Sequence, residues 1–154
     1  MLKKFALALV ISGALTPAWA DALQVGDKLS QFSLSDQHEI EQSLDEGVRT
    51  LLFSRDMAGG DIIQQVLESM TPPLPEDLRY VADISGMPGL IAKFVAIPQL
   101  QQLPFSIVLD RDGALTASLP AQEDKATLIQ LRGMTVEAVH YFDSVESLQQ
   151  HLAE

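Results

Sequence analysis

The sequence predicts an α/β three-layer sandwich, a mixed central sheet flanked by helices, and three observations carry that reading. Leu51-Leu52-Phe53 is a continuous apolar run without polar alternation, the pattern of a strand buried on both faces. Strand and helix patterns then alternate between Val48 and Val95, and the right-handed crossover rule lays the two strands parallel in one sheet. The last third changes character, with two strands joined at Arg132-Gly133 as a hairpin and a closing helix after them. At 154 residues the chain is long enough for one domain with a real core and short for two.

Residues 1–20 carry a separate signal. Lys3 and Lys4 form a positive n-region, Phe5 to Leu15 a short apolar stretch, and Ala18-Trp19-Ala20 a small-residue cleavage site. Together they read as a secretory signal peptide cleaved after Ala20, leaving a domain over residues 21–154 that is soluble and periplasmic. The apolar stretch is too short to span a bilayer comfortably, and no cysteine follows the cleavage site to take a lipid. A retained N-terminal anchor is the alternative.

Charge narrows the partners. The whole chain carries −11, and without Lys3 and Lys4 its ten basic residues become 8 against 21 acidic ones, a balance of −13. Such a surface repels phosphate backbones and anionic lipid, so neither nucleic acid nor membrane is an expected partner. Export points to an oxidising compartment, yet the chain contains no cysteine. Stability must come from packing, and direct thiol chemistry is excluded.

Taken in order, Asp21 to Glu39 is polar text with spaced apolar residues and turn signals at Gly26-Asp27 and Ser35-Asp36; Phe32-Ser33-Leu34 alternates as a short strand would, and the stretch is read as a small hairpin across one end of the sheet. Ile40 to Glu46 reads as a weak helical turn stopped by Gly47. Val48 to Phe53 is the central strand. After a turn at Met57 to Gly60, Asp61 can cap a helix whose Ile62, Ile63, Val66, Leu67 and Met70 share one face. The prolines of Thr71 to Asp77 make a stiff loop, and Leu78 to Ile84 is the second strand. Pro88 suits a first helical position, with Leu90, Ile91, Phe94 and Val95 as the apolar stripe of a second helix. Phe105 to Leu109 is a strand ended by a hairpin-type turn at Asp110-Arg111-Asp112-Gly113. Ala126 to Leu131 and Thr135 to Phe142 form the hairpin, and Asp143 with Glu146 makes a capping box for a helix that turns Val145, Leu148 and Leu152 inward.

Gly26-Asp27 followed by Phe32-x-Leu34-x-Asp36 resembles the entry segment of peroxiredoxins and extracytoplasmic thiol-disulfide oxidoreductases, and Leu103-Pro104-Phe105 and Leu109-Asp110-x-Asp112-Gly113 resemble later segments of the same families. The resemblance implies a thioredoxin-like fold, with Met57 and Gly60 at the places of the redox cysteine pair. A thioether forms no thiolate, so neither disulfide exchange nor peroxide reduction can run on this chain's own side chains. The family also places a cis-proline beside the redox turn, where neighbouring backbone pairs with an extended peptide. Carried over, this implies a binding groove lined by Met57, Ala58, Gly59, Gly60 and Pro104; from the sequence, the Leu103-Pro104 bond can be cis or trans.

Other constellations are weak. Gly59-Gly60 before a helix could cradle an anion, but Asp56 and Asp61 flank it and the pair reads better as a tight turn. Asp110-x-Asp112-Gly113 lacks the further ligands of a calcium loop. His38, His140 and His151 are scattered, and Met57, Met87 and Met134, whose thioethers suit copper(I), are far apart in sequence. No serine lies in a nucleophile elbow, and no phosphate-binding or dinucleotide fingerprint is present, so no cofactor is expected. The expectation is an exported, redox-inactive protein that binds a peptide or a partner protein. The alternative is an accessory of an extracytoplasmic redox or copper-handling pathway.

Overall fold

The structure is a computed structural model that describes residues 21–154, so the leader expected over residues 1–20 lies outside the described residues. Its centre is a five-stranded mixed sheet in the order β5-β4-β3-β6-β7, built from β3 (Thr50–Ser54), β4 (Leu78–Asp83), β5 (Val108–Asp110), β6 (Ala126–Arg132) and β7 (Thr135–Phe142). β3 takes the middle because its alternate residues serve both faces, and Leu51, Leu52 and Phe53 are all buried. β4 and β5 run parallel to it in succession; on its other side β6 runs antiparallel to β3, and β7 antiparallel to β6.

Two cores lie on the two faces. On one, Leu52, Tyr80, Ala82, Leu109 and Leu128 meet Ile63, Val66 and Leu67 of α1 (Met57–Ser69) and Leu148 of α4 (Val145–Leu152). Ile97 and Leu100, on a short helical run between β4 and β5, pack on the same side. On the other, Leu51, Phe53, Val81, Val108 and Ile129 are covered by Leu29, Leu44, Leu119 and Met134. The third layer is therefore a hairpin with loops, and the described helices gather on one face. Two right-handed crossovers taken in the same direction, β3 to β4 and β4 to β5, produce that one-sidedness.

The covering hairpin is β1 (Phe32–Ser35) against β2 (Glu41–Leu44), with Phe32 opposite Leu44. The strand expected at Phe32 to Leu34 and the turn signal at Ser35-Asp36 are where the sequence places them, and one expectation is corrected: the partner strand is Glu41 to Leu44, inside the segment read as a helical turn, because Gln42 and Leu44 turn inward while Glu41 and Ser43 stay exposed, a period of two. The Asp36 carboxylate closes the turn between them, accepting the backbone N–H groups of His38 and Ile40 at 2.8 and 3.1 Å. Ahead of the hairpin, Leu23 to Leu29 crosses to the far end of the chain: Leu23 donates to the Ser118 carbonyl at 2.8 Å, Gly26 to Val136 at 2.8 Å and Leu29 to Met134 at 2.8 Å.

Three further boundaries differ. β5 and β6 lie on opposite sides of the β3-β4 pair, so Asp110 to Gly113 opens a long crossing and is no hairpin turn. The cap of α4 is Ser144, whose hydroxyl accepts from the Ser147 N–H at 3.2 Å, one residue beyond the expected Asp143. The second helix is broken into α2 (Gly89–Ile91), a π-helical turn over Ala92–Ala96 and α3 (Ile97–Leu100), and its expected stripe of Leu90, Ile91, Phe94 and Val95 is exposed.

Candidate functional site

β3 delivers the chain to the end of the sheet where the parallel strands finish, and α1 starts there three residues after Ser54. The helix begins at Met57, so Met57 to Gly60 is its first turn, and the cap is Asp56 in extended conformation, not Asp61. One Asp56 oxygen accepts from the Gly59 N–H at 2.8 Å, which satisfies an N–H that the first turn would otherwise orphan. The other accepts from the Asp124 N–H at 2.8 Å. A single carboxylate thus ties the helix start to the loop that enters β6.

That loop approaches closely. Gly59 is buried, and a Cβ there would collide with the Lys125 carbonyl oxygen and come within 2.9 Å of its carbon. Glycine is required for this contact, not for a turn. Arg55, just before the cap, is fixed from the other side, donating to the Thr116 and Leu119 carbonyls at 2.8 and 3.1 Å, with its Nε 3.5 Å from the Asp83 carboxylate. Beneath Gly60, the hydroxyls of Ser54 and Tyr80 are bonded at 2.9 Å within the core. Burial pushes the Tyr80 phenol above its ordinary value, against the opposing pull of its bonds to Ser54 and Gln64. Ser54, the one hydroxyl close to the helix start on β3, is therefore buried and engaged.

The five residues expected to line a groove separate into two places. Met57 projects with 73% of its surface exposed, Ala58 is half-buried, and Gly59 and Gly60 are buried under them. Pro104 is elsewhere. β5 runs parallel to β4 with Val108 opposite Val81, so the residues before it lie toward the end where β4 begins, away from the start of α1. Gln37 holds that segment, donating to the Phe105 carbonyl at 2.7 Å and accepting from the Ile107 N–H at 2.8 Å. The cis peptide among the described residues is Pro72-Pro73, so Leu103-Pro104 is trans. β6 runs antiparallel to β3 with Thr127 opposite Phe53, and so Asp124 and Lys125 are what sits beside Met57 to Gly60. The sequence reading missed this loop. Asp56 is a cap-type residue just ahead of the helix, but nothing near it in the sequence points to Asp124 and Lys125.

The remaining candidates resolve in the same way. Asp110 is buried and spends its oxygens on its own loop, accepting from the Gly113 N–H at 3.0 Å and from the Thr116 N–H and hydroxyl, both at 2.8 Å. Met57 lies at one end of the sheet, and Met134, buried in the β6-β7 turn, at the other. His140 and His151, distant in sequence, do meet: their rings are 4.5 Å apart, with Phe142 5.3 Å from His151. No helix among the described residues is long and apolar enough to cross a membrane.

No protein-family model and no curated protein matches the chain. Solved structures do. The chain is similar to a peroxiredoxin-like protein from Aquifex aeolicus at 9% identity and TM-score 0.54, over 88% of this chain and 89% of that one. It is similar to StoA from Bacillus subtilis at 14% identity and TM-score 0.54, over 79% and 96%. The thioredoxin domain of a thiol-disulfide oxidoreductase from Bacteroides vulgatus matches at 12% identity and TM-score 0.53, over 86% of this chain and all of that one. At such identities the likeness is one of fold, and the fold is thioredoxin-like in a chain that has no cysteine.

Proposed function

We propose that this chain is an exported, non-catalytic binding module, and that a peptide or partner protein docks at the start of α1 on Met57 and Ala58, with the Gln122 to Lys125 loop beside them. The observation that carries the reading is the pairing of an exposed Met57, at 73%, with a buried Gly59 and Gly60 in the first turn of α1. A flexible, polarisable thioether at that position can contact varied apolar partners, and it cannot perform the chemistry of a thiolate. Pro104, at the other end of the sheet, takes no part in this contact.

A photo-crosslinking side chain placed at Met57 should capture a partner that one placed at Gln149, on the exposed side of α4, does not. Equal capture from both positions removes the docking proposal. Export is tested by cell fractionation with mass analysis: the reading requires a periplasmic protein whose first residue is Asp21.

A second reading has one observation in its favour. The rings of His140 and His151 approach each other, and imidazole is a donor type that suits copper and zinc. Among the described residues no group of three or more His, Cys, Asp or Glu side chains is placed to hold an ion, so an accessory role in metal handling rests on this pair alone. Copper uptake in equilibrium dialysis that disappears in His140→Ala favours it, and no uptake discards it.

A further inference from the structure

A cleft of about 480 Å³ opens where the end of β4, the broken helical run from Gly89 and the β1-β2 turn come together. Ile84, Met87, Ala92 and Ile97, all half-buried, give it an aliphatic interior. Backbone bonds hold that wall in shape: Ile84 donates its N–H to the Asp110 carbonyl and Met87 to the Ile84 carbonyl, both at 3.0 Å. The π turn completes it. Ile97 donates its N–H to the Ala92 carbonyl five residues back, which brings these two residues round to one side, where an unbroken α-helix would set them about 140° apart. The outward stripe of Leu90 and Phe94 takes no part in the lining.

The charge of the cleft is opposite in sign to that of the chain. Its charged lining residues are Lys93, Arg111 and Glu39, two cations to one acid in a chain that carries −11. The Lys93 ammonium, 5.5 Å from the centre of the Phe94 ring, has no carboxylate within ion-pair distance among the described residues. Arg111 holds the Glu39 carboxylate at 3.0 Å, so its guanidinium already takes a carboxylate at this cleft. The Glu39 side chain is 71% exposed, and an ion pair so exposed is worth little because water screens both charges. A competing carboxylate therefore displaces it at small cost. Two cationic donors select an anion, and the arginine fork fits a planar carboxylate. The aliphatic walls, with no aromatic ring to stack on, select a flexible alkyl body.

We infer that this cleft binds a small aliphatic carboxylate, its alkyl chain against Ile84, Met87 and Ile97 and its carboxylate on Lys93 and Arg111, in exchange for Glu39. The site is separate from the Met57 contact proposed above, so either can fail without the other.

Isothermal titration of the chain from Asp21 onward with octanoate tests it, with 1-octanol as the uncharged arm. The expected result is saturable one-to-one binding of octanoate in the millimolar range or tighter, and 1-octanol weaker by about fivefold or more. Lys93→Gln and Arg111→Gln should each weaken octanoate by about three- to tenfold and leave 1-octanol unchanged, since each removes a charge and no part of the aliphatic wall. Glu39→Gln should tighten octanoate by about twofold or more, because it removes the competing carboxylate. Arg49→Gln and Glu68→Gln, the same charge changes at exposed residues elsewhere, should have no effect. All three cleft side chains are exposed, so the circular dichroism spectrum should not change in any variant. In two-dimensional NMR, octanoate should shift the amide resonances of Met87, Ala92 and Ile97. Absence of saturable octanoate binding through the millimolar range overturns the inference. So does 1-octanol binding as tightly as octanoate, a Glu39→Gln variant that binds no more tightly, an Arg49→Gln loss equal to that of Arg111→Gln, or amide shifts confined to other parts of the domain.

Discussion

Gly59 and Gly60 are adjacent and both buried, yet they should respond oppositely to a methyl group. At Gly59 the new Cβ meets rigid backbone at Lys125, and the loop or the helix start must move. Gly59→Ala should lower the urea-unfolding free energy by about 1–3 kcal/mol, the range of overpacking in a filled site. At Gly60 the nearest atoms are the Tyr80 hydroxyl at 3.4 Å and Ser54 Oγ at 3.6 Å, which is tight but open. Gly60→Ala should be neutral or gain up to about 1 kcal/mol from helix propensity. Asp56 serves two donors at once, so Asp56→Ala should cost about 1–2 kcal/mol in the same assay and Asp56→Asn less. The pattern Met57 to Gly60 after an apolar strand was legible in the sequence as strand, turn and helix. The role of its first glycine was not, because the atom that requires it belongs to Lys125, far along the chain.

At the scale of elements, the β1-β2 hairpin depends on one carboxylate. Burial alone would raise the pKa of Asp36; the backbone N–H groups of Ile40 and His38 and the side chains of Ser106 and Gln42 donate to it and hold it below the ordinary carboxylate value. The folded form therefore binds this proton more weakly than the unfolded chain does. The stabilisation is present above the unfolded value of about 4 and is lost as pH falls through the lower folded value. In urea titrations taken from neutral to acid, Asp36→Asn should be less stable at neutral pH and should show a shallower loss of stability on acidification. A variant that follows the wild-type slope would remove Asp36 from the acid response. The central strands β3, β4, β6 and β7 were legible because continuous apolar runs and a turn glycine leave little choice of pairing. β2 was not: Glu41 to Leu44 is four residues with one apolar side chain, too short for periodicity to separate strand from helix. Nor was the outward stripe, since apolar spacing marks a helical face without saying which way that face is turned.

For the whole molecule, the fold is thioredoxin-like in a chain with no cysteine, and the first turn of α1 has a spacing that could hold a disulfide. Residues three apart in a first helical turn have Cα atoms about 5 Å apart, within reach of a disulfide. The double variant Met57→Cys with Gly60→Cys should therefore lose both titratable thiols under mild oxidation, whereas Met57→Cys with Gly59→Cys should not and should unfold more easily. The one-sided placement of the helices leaves the opposite core to be covered by the hairpin, the Leu119 loop and the segment from Leu23 to Leu29. That last segment hydrogen-bonds to Ser118, Met134 and Val136. In a chain that emerges from its N-terminus, the segment from Leu23 to Leu29 lacks these backbone partners until those three are available. One end waits for the other, and the domain can close only when nearly its whole length has been made.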